Sequence, residues 1–210
     1  NVEDGGSRRF ILIQLDEPLD PGEKSEVTAV KFCDELGKPR NIAQLTIERL
    51  RRASQKIRSQ NPLFAGDVGF RVFKLDSSNF KAWDPFTNDL QYTLEASIEH
   101  IKPDRTEMDI LYELLIKLGI DLCTKIESKE IDGKMIFSVG GGVLIACLWN
   151  LISVNEVEML ARTIISWVNE LAPVGKTTCV FRDSAFVDDI SKTNLAAILE
   201  QNGILNLQSI

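Results

Sequence analysis

Between three consecutive glycines, Gly140-Gly141-Gly142, and a helix-start signal at Ser153 lies the run Val143-Leu144-Ile145-Ala146-Cys147-Leu148-Trp149. Such a run has no polar face to turn to water. At strand length it reads as an apolar strand, whose neighbours in sequence must supply the rest of a sheet and its helices. The neighbours fit. Upstream, Asp132-Gly133 is a strong hairpin signal joining strands expected at 122–131 and 134–139. Before them, Thr106 starts a helix through Ile110, Leu111, Leu114, Leu115 and Leu118 that ends at Gly119. Downstream, Ser153 and Glu156 have the spacing of a capping box for a helix to Leu171, which Pro173 and Gly175 break. A strand at 177–181, a helix at 191–201 closed by Gly203 and a short strand at 204–207 complete the series. The order is helix, three antiparallel strands, helix, strand, helix, strand: a small mixed α+β domain with its own core. The triple glycine is a tight turn here, because a phosphate-binding loop would lead into a helix rather than an apolar strand.

The first part of the chain reads differently. Arg8 to Leu15 is a compact apolar run after Gly5-Gly6 and barely alternates, as a buried parallel strand would. Residues 17–40, with Pro18, Pro21 and Pro39, read as a long loop or a broken helix. Asn41 caps a helix whose apolar positions Ile42, Leu45, Ile47, Leu50 and Ile57 run to about Arg58. Gly69 to Leu75 follows as a second strand. Strand, helix, strand with this spacing makes a right-handed βαβ unit the default.

Charge divides the chain near Trp83-Asp84-Pro85. Residues 1–82 carry 14 basic and 12 acidic side chains and residues 83–210 carry 10 and 19, giving the net charge of -7. The acidic balance argues against a whole-chain polyanion binder. The basic cluster Arg49, Arg51, Arg52, Lys56 and Arg58 spreads over several helix faces. It is read as a solvated surface, with contact to nucleic-acid phosphates or an acidic partner as the alternative. The polar stretch to Asp104 reads as a linker. No apolar run approaches the roughly 20 residues that span a bilayer. Cys33, Cys123, Cys147 and Cys179 form no C-x-x-C pair and read as reduced thiols, with no metal site. The single histidine, His100, has no nucleophile signature nearby. The chain begins with Asn1 rather than Met and is expected to be a fragment of something longer.

Polar residues cluster where the apolar strands end. Gln14, Asp16 and Glu17 close the first strand, and Asp76-Ser77-Ser78-Asn79 closes the second. In an open α/β sheet, strand ends meet a nucleoside, and an acid there accepts hydrogen bonds from ribose hydroxyls. Asp183, Asp188 and Asp189 stand behind another strand end. Three carboxylates can hold magnesium, but the spacing before a helix is read as cap chemistry.

The residues resemble a known family. Gly5-Gly6-Ser7-Arg8-Arg9-Phe10-Ile11-Leu12-Ile13-Gln14-Leu15 resembles a strand of the methylation (Mod) subunits of type III restriction-modification systems, which are site-specific adenine methyltransferases of the β class. Asn41-Ile42-Ala43 through Glu48-Arg49-Leu50-Arg51-Arg52-Ala53 is similar to the helix that follows it. Gly69-Phe70-Arg71-Val72-Phe73-Lys74-Leu75-Asp76-Ser77-Ser78-Asn79-Phe80 is the most specific match, to the next strand. Asp109 to Lys117 and Phe181-Arg182-Asp183-Ser184-Ala185-Phe186 resemble segments nearer the C-terminus.

The resemblance implies methyl transfer from S-adenosylmethionine to the exocyclic amine of adenine in DNA, with the base flipped out of the duplex. It implies an α/β fold: a partial Rossmann-like methyltransferase βαβ unit over 1–82, a linker over 83–105 and an α+β assembly domain over 106–210. It implies cofactor contacts at Gln14, Asp16, Asp76 and Ser78. Gln14 stands where these enzymes generally place an acid, and Asp16 lies two residues on. The sequence holds neither D-P-P-Y/F nor the glycine-rich cofactor loop; Asp84-Pro85-Phe86 lacks the second proline. No catalytic residue is therefore expected in the chain, and it alone is expected to be inactive. The implied partners are DNA, a second Mod subunit and a restriction subunit, and the implied location is the cytoplasm. The alternative is a non-enzymatic α/β interaction module.

Overall fold

The computed structural model describes residues 4–81 and 100–210, which divide after Leu75 into two compact units. The expectations at Trp83-Asp84-Pro85, and the linker between 83 and 99, lie outside the described residues.

The second unit is a mixed sheet covered on both faces. Its elements are α3 (Glu107–Lys117), β1 (Ile126–Ile131), β2 (Lys134–Val139), β3 (Leu144–Cys147), α4 (Val154–Leu171), β4 (Thr178–Phe181), α5 (Asp189–Gln201) and β5 (Asn206–Ser209). The strands lie in the order β1-β2-β3-β4-β5. β1, β2 and β3 form an antiparallel meander, and β4 and β5 continue it in parallel after crossovers through α4 and α5. This is the element order expected from the sequence. β1 begins four residues late, because Asp121 to Thr124 form a turn in which Cys123 N–H donates to Asp121 Oδ1 at 2.7 Å. β5 lies two residues late, because Ile204 N–H returns to Leu199 O to close α5.

The pleat divides the apolar run between two cores. Ile145, Cys147 and Trp149 face α4 and α5, where they meet Leu160, Ile164, Cys179, Phe181, Leu195 and Leu199. Leu144, Ala146 and Leu148 face the other way, onto Leu111, Leu114, Leu115, Phe137 and Val180. Side chains cap the starts of the three helices in this unit. Thr106 and Asp109 form a reciprocal box at α3. At α4 the Glu156 carboxylate reaches back to Ser153 N and Oγ at 2.8 and 2.7 Å. At α5, Asp188 accepts from Ser191 N at 2.6 Å. Burial pushes the Cys147 and Cys179 thiols up to about 12, so both remain protonated core residues.

Glu156 does more than cap. Lys134 Nζ donates to it at 2.6 Å and also to Leu151 O at 2.8 Å. Chiefly through Lys134, the carboxyl is held at about 2. Its folded value lies below the ordinary 4.5, so its contribution is complete above that value and disappears as pH falls towards 2. Glu156→Gln is expected to cost about 1–2 kcal/mol at neutral pH and much less near pH 2. Urea titrations at the two pH values check this; an equal cost at both would contradict it.

In the first unit, α1 (Val27–Glu35) and α2 (Ile42–Gln60) enclose a small core of Leu19, Val30 and Cys33, with Ile42 and Leu45 packed on it. Asn41 Oδ1 accepts from Gln44 N at 3.0 Å, which is the cap expected for α2. The expected βαβ unit is corrected here: neither 8–15 nor 69–75 is a strand. A strand exists only as one side of a ladder. The described strands all belong to the sheet spanning Ile126 to Ser209. Neither segment joins a ladder among the described residues, and most of their apolar side chains are exposed, among them Ile11 88%, Ile13 91% and Leu75 98%.

Candidate functional site

The four sequence-derived candidates fall in two places. Gln14 and Asp16 belong to the first unit, Asp76 and Ser78 to the second. Gln14 is exposed; its Nε2 donates to Leu15 O at 3.3 Å, and its amide oxygen remains available as an acceptor. Asp16 accepts a hydrogen bond from Asn41 Nδ2, the same side chain that caps α2. The acid at the end of the first apolar run is thereby tied to the start of α2.

Asp76 and Ser78 begin an arm clasped onto α3. Asp76 Oδ2 accepts from Arg105 Nη1 and Oδ1 from Ser77 N, both at 2.7 Å. Arg105, first, and then the Ser77 amide hold the Asp76 carboxyl at about 2. Lys102 Nζ donates to Ser77 Oγ at 2.7 Å. Ser78 Oγ donates to Glu113 Oε1 and Asn79 N to Glu113 Oε2, both at 2.6 Å. Lys117 Nζ closes on Glu113 from the next turn at 3.0 Å. Burial pushes the Glu113 carboxyl up, but these donors outweigh it and the net displacement is downward. Asn79, itself buried, donates through Nδ2 to Asp109 O at 2.8 Å. Phe80 then bridges to Ile101 and stacks on His100, with Lys117 Nζ 3.9 Å from the ring centre. His100 is thus an aromatic packing partner.

The sequence reading missed Glu113 and Arg105, which organise this arm. A signal for Glu113 was present: Asp109, Glu113 and Lys117 recur every fourth residue, a polar stripe on one face of α3 beside its apolar stripe. Arg105 carried no such signal, because its partner lies 29 residues away.

The remaining candidates resolve into structural roles. Asp183 pairs with Lys192, and Asp188 caps α5. Among the described residues, no group of three or more His, Cys, Asp or Glu is placed to hold a metal ion. Buried Arg182 donates through Nε to Ser184 Oγ at 3.0 Å and through Nη1 to Asn150 Oδ1, joining the ends of β3 and β4. Arg51 and Arg52 both pair with Glu48, at 3.0 and 2.8 Å, and the Arg52 guanidinium lies 4.8 Å from the Phe32 ring centre. Gly140, Gly141 and Gly142 all have positive φ and turn β2 into β3. Among the described residues, no helix is long and apolar enough to cross a membrane.

No family model matches the chain. A stretch of 74 residues, 35% of the chain, is 32% identical to the Type III restriction-modification enzyme StyLTI Mod subunit of Salmonella typhimurium. That stretch spans about 10% of the relative. The chain is therefore similar over part of its length to a Type III Mod subunit, as the resemblance read from its residues implied.

Proposed function

We propose that this chain is part of a Mod subunit of a type III restriction-modification system, a DNA methyltransferase acting on the exocyclic amine of adenine. The observation that carries the reading is the similarity to a Mod subunit over 74 residues. The first unit adds physical support. The segments 8–15 and 69–75 are apolar on both faces and exposed, the composition of strands that a larger parallel sheet would cover on both sides. Catalytic and glycine-rich cofactor motifs absent from these 210 residues would be supplied by further polypeptide. The chain alone would then be inactive.

S-adenosylmethionine supplies the activated methyl group when bound. Of the four candidates, Gln14 fits it best, since its exposed amide has an acceptor oxygen and a donor for ribose hydroxyls. Asp16 keeps one carboxylate oxygen beyond its bond to Asn41. Asp76 and Ser78 are engaged by Arg105 and Glu113, and their role in this reading is to hold the arm that follows the second apolar segment. The acidic balance of residues 83–210 suits protein contacts better than DNA contacts. In this reading the second unit serves assembly, with another Mod subunit or a restriction subunit, in the cytoplasm.

The test uses the complete product of the gene encoding this chain. Gln14→Ala is expected to raise KM for S-adenosylmethionine roughly tenfold, the worth of one well-made hydrogen bond, and to leave KM for DNA unchanged. Unchanged kinetics would remove Gln14 from the site. Absence of methyl transfer altogether would favour the non-enzymatic interaction module.

A further inference from the structure

The two edges of the five-stranded sheet are built differently. β1 carries Glu127, Lys129 and Glu130, charges of the kind that keep an edge from pairing with another chain. β5, Asn206-Leu207-Gln208-Ser209, carries no charge, and three of its four residues are exposed. Among the described residues β5 has β4 as its one neighbour. Ile210 N donates to Phe181 O, and Asp183 N donates to Ile210 O, at 2.9 and 2.8 Å. Residue 210 therefore points its backbone groups at β4, and by strand alternation so do 208 and 206. The N–H and C=O groups of Leu207 and Ser209 point outward.

A cleft of about 100 Å³ opens beside this edge, between β5 and α5. Phe181, Phe186, Leu195, Ala196 and Leu207 give it an apolar lining, with Lys192 among the polar residues beside them. Lys192 is paired with Asp183, so its charge is compensated. Leu207 belongs to the core on the α5 side of the sheet, and Ser209, two residues on, shares that face. A residue on a strand added beside β5 would place its side chain on the same face. The cleft is smaller than the roughly 150 Å³ cavity that holds a benzene molecule, and suits one branched aliphatic side chain.

We propose that the β5 edge and the cleft under α5 form a binding site for an extended peptide of a partner protein. The peptide pairs with the outward groups of Leu207 and Ser209 and inserts one leucine-sized apolar side chain into the cleft. The size of the site favours this occupant over a second folded copy. A four-residue edge about 13 Å long beside a cleft of about 100 Å³ accepts one short strand, whereas a stable complex of two folded faces buries roughly 800 Å² per partner. The uncharged edge and apolar cleft call for an uncharged strand whose cleft-facing residue is aliphatic. The inference does not depend on the methyltransferase reading.

The test is fluorescence anisotropy of the full chain with a labelled peptide of alternating threonine and valine, a central leucine and terminal lysines. Saturable binding is expected. It should weaken roughly tenfold or more when the central leucine is replaced by aspartate, or when the peptide amides that face β5 are N-methylated, since each change leaves buried polar groups unpaired. In the protein, Ser209→Pro deletes one outward N–H, leaves the bonds to β4 intact and should weaken binding to the same degree. Ala196→Phe fills the cleft and should discriminate against leucine but not against alanine at the central position. Circular dichroism confirms that both variants fold. No binding at millimolar peptide, or binding indifferent to N-methylation and to Ser209→Pro, overturns the proposal. So does a dimer that Ser209→Pro dissolves, which would assign the edge to a second copy.

Discussion

Trp149→Ala is expected to destabilise the second unit by about 3–5 kcal/mol, lowering its melting temperature by on the order of 10 °C or more. Three effects of one side chain add here. Trp149 is 1% exposed and packs in the core between the sheet and α4 and α5, so truncation leaves a large cavity that rigid neighbours cannot fill. Its Nε1 donates to Met135 O at 2.6 Å, a bond that alanine cannot make. Its ring also lies 4.7 Å from Lys134 Nζ, which in turn holds Glu156 and the start of α4. Trp149→Phe separates these effects: it keeps most of the volume, loses the hydrogen bond and is expected to cost about 1–3 kcal/mol. Calorimetric melting of the three proteins checks the order. Equal losses for alanine and phenylalanine would show that the indole N–H, not the cavity, dominates.

Gly142→Val is expected to cost roughly 2–5 kcal/mol, from backbone strain and overpacking together. Gly142 has φ +93°, a conformation that β-branched residues scarcely adopt. A Cβ there would also stand 3.2 Å from Leu171 Cβ and 3.5 Å from Pro173 Cδ, at the end of α4, where neither atom is the tip of a flexible chain. Gly141 has φ +66° but nothing within 4 Å of an added Cβ, so Gly141→Ala isolates the strain alone, about 1–2 kcal/mol. The ratio of the two costs, read from urea unfolding, checks the account. A Gly142→Val protein as stable as the parent would contradict the packing at this turn.

The second unit was legible because its signals are local and agree with one another. The Asp132-Gly133 turn, the glycines before β3, the Ser153–Glu156 spacing and Gly203 after α5 each act within a few residues of where they stand. The apolar run of β3 was legible as a strand; that its alternate residues face two cores follows from helices packed on both faces of the sheet. The first unit was misread for a non-local reason. Arg8 to Leu15 and Gly69 to Leu75 have strand composition, but composition does not provide a ladder partner, and none is among the described residues. The candidate site was legible only in part. Asp16 and Asp76 were recognised as polar ends of apolar segments, but their engagement by Asn41 and Arg105 depends on pairs 25 and 29 residues apart.

The most direct test of the central claim is transfer of radiolabelled methyl from S-adenosylmethionine to DNA by the complete product of the gene encoding this chain, with the modified base identified after digestion. The account predicts label on N6-methyladenine with the complete product and none with the 210-residue chain alone. Absence of labelled adenine with the complete product, under conditions where it is folded and binds DNA, would contradict the account.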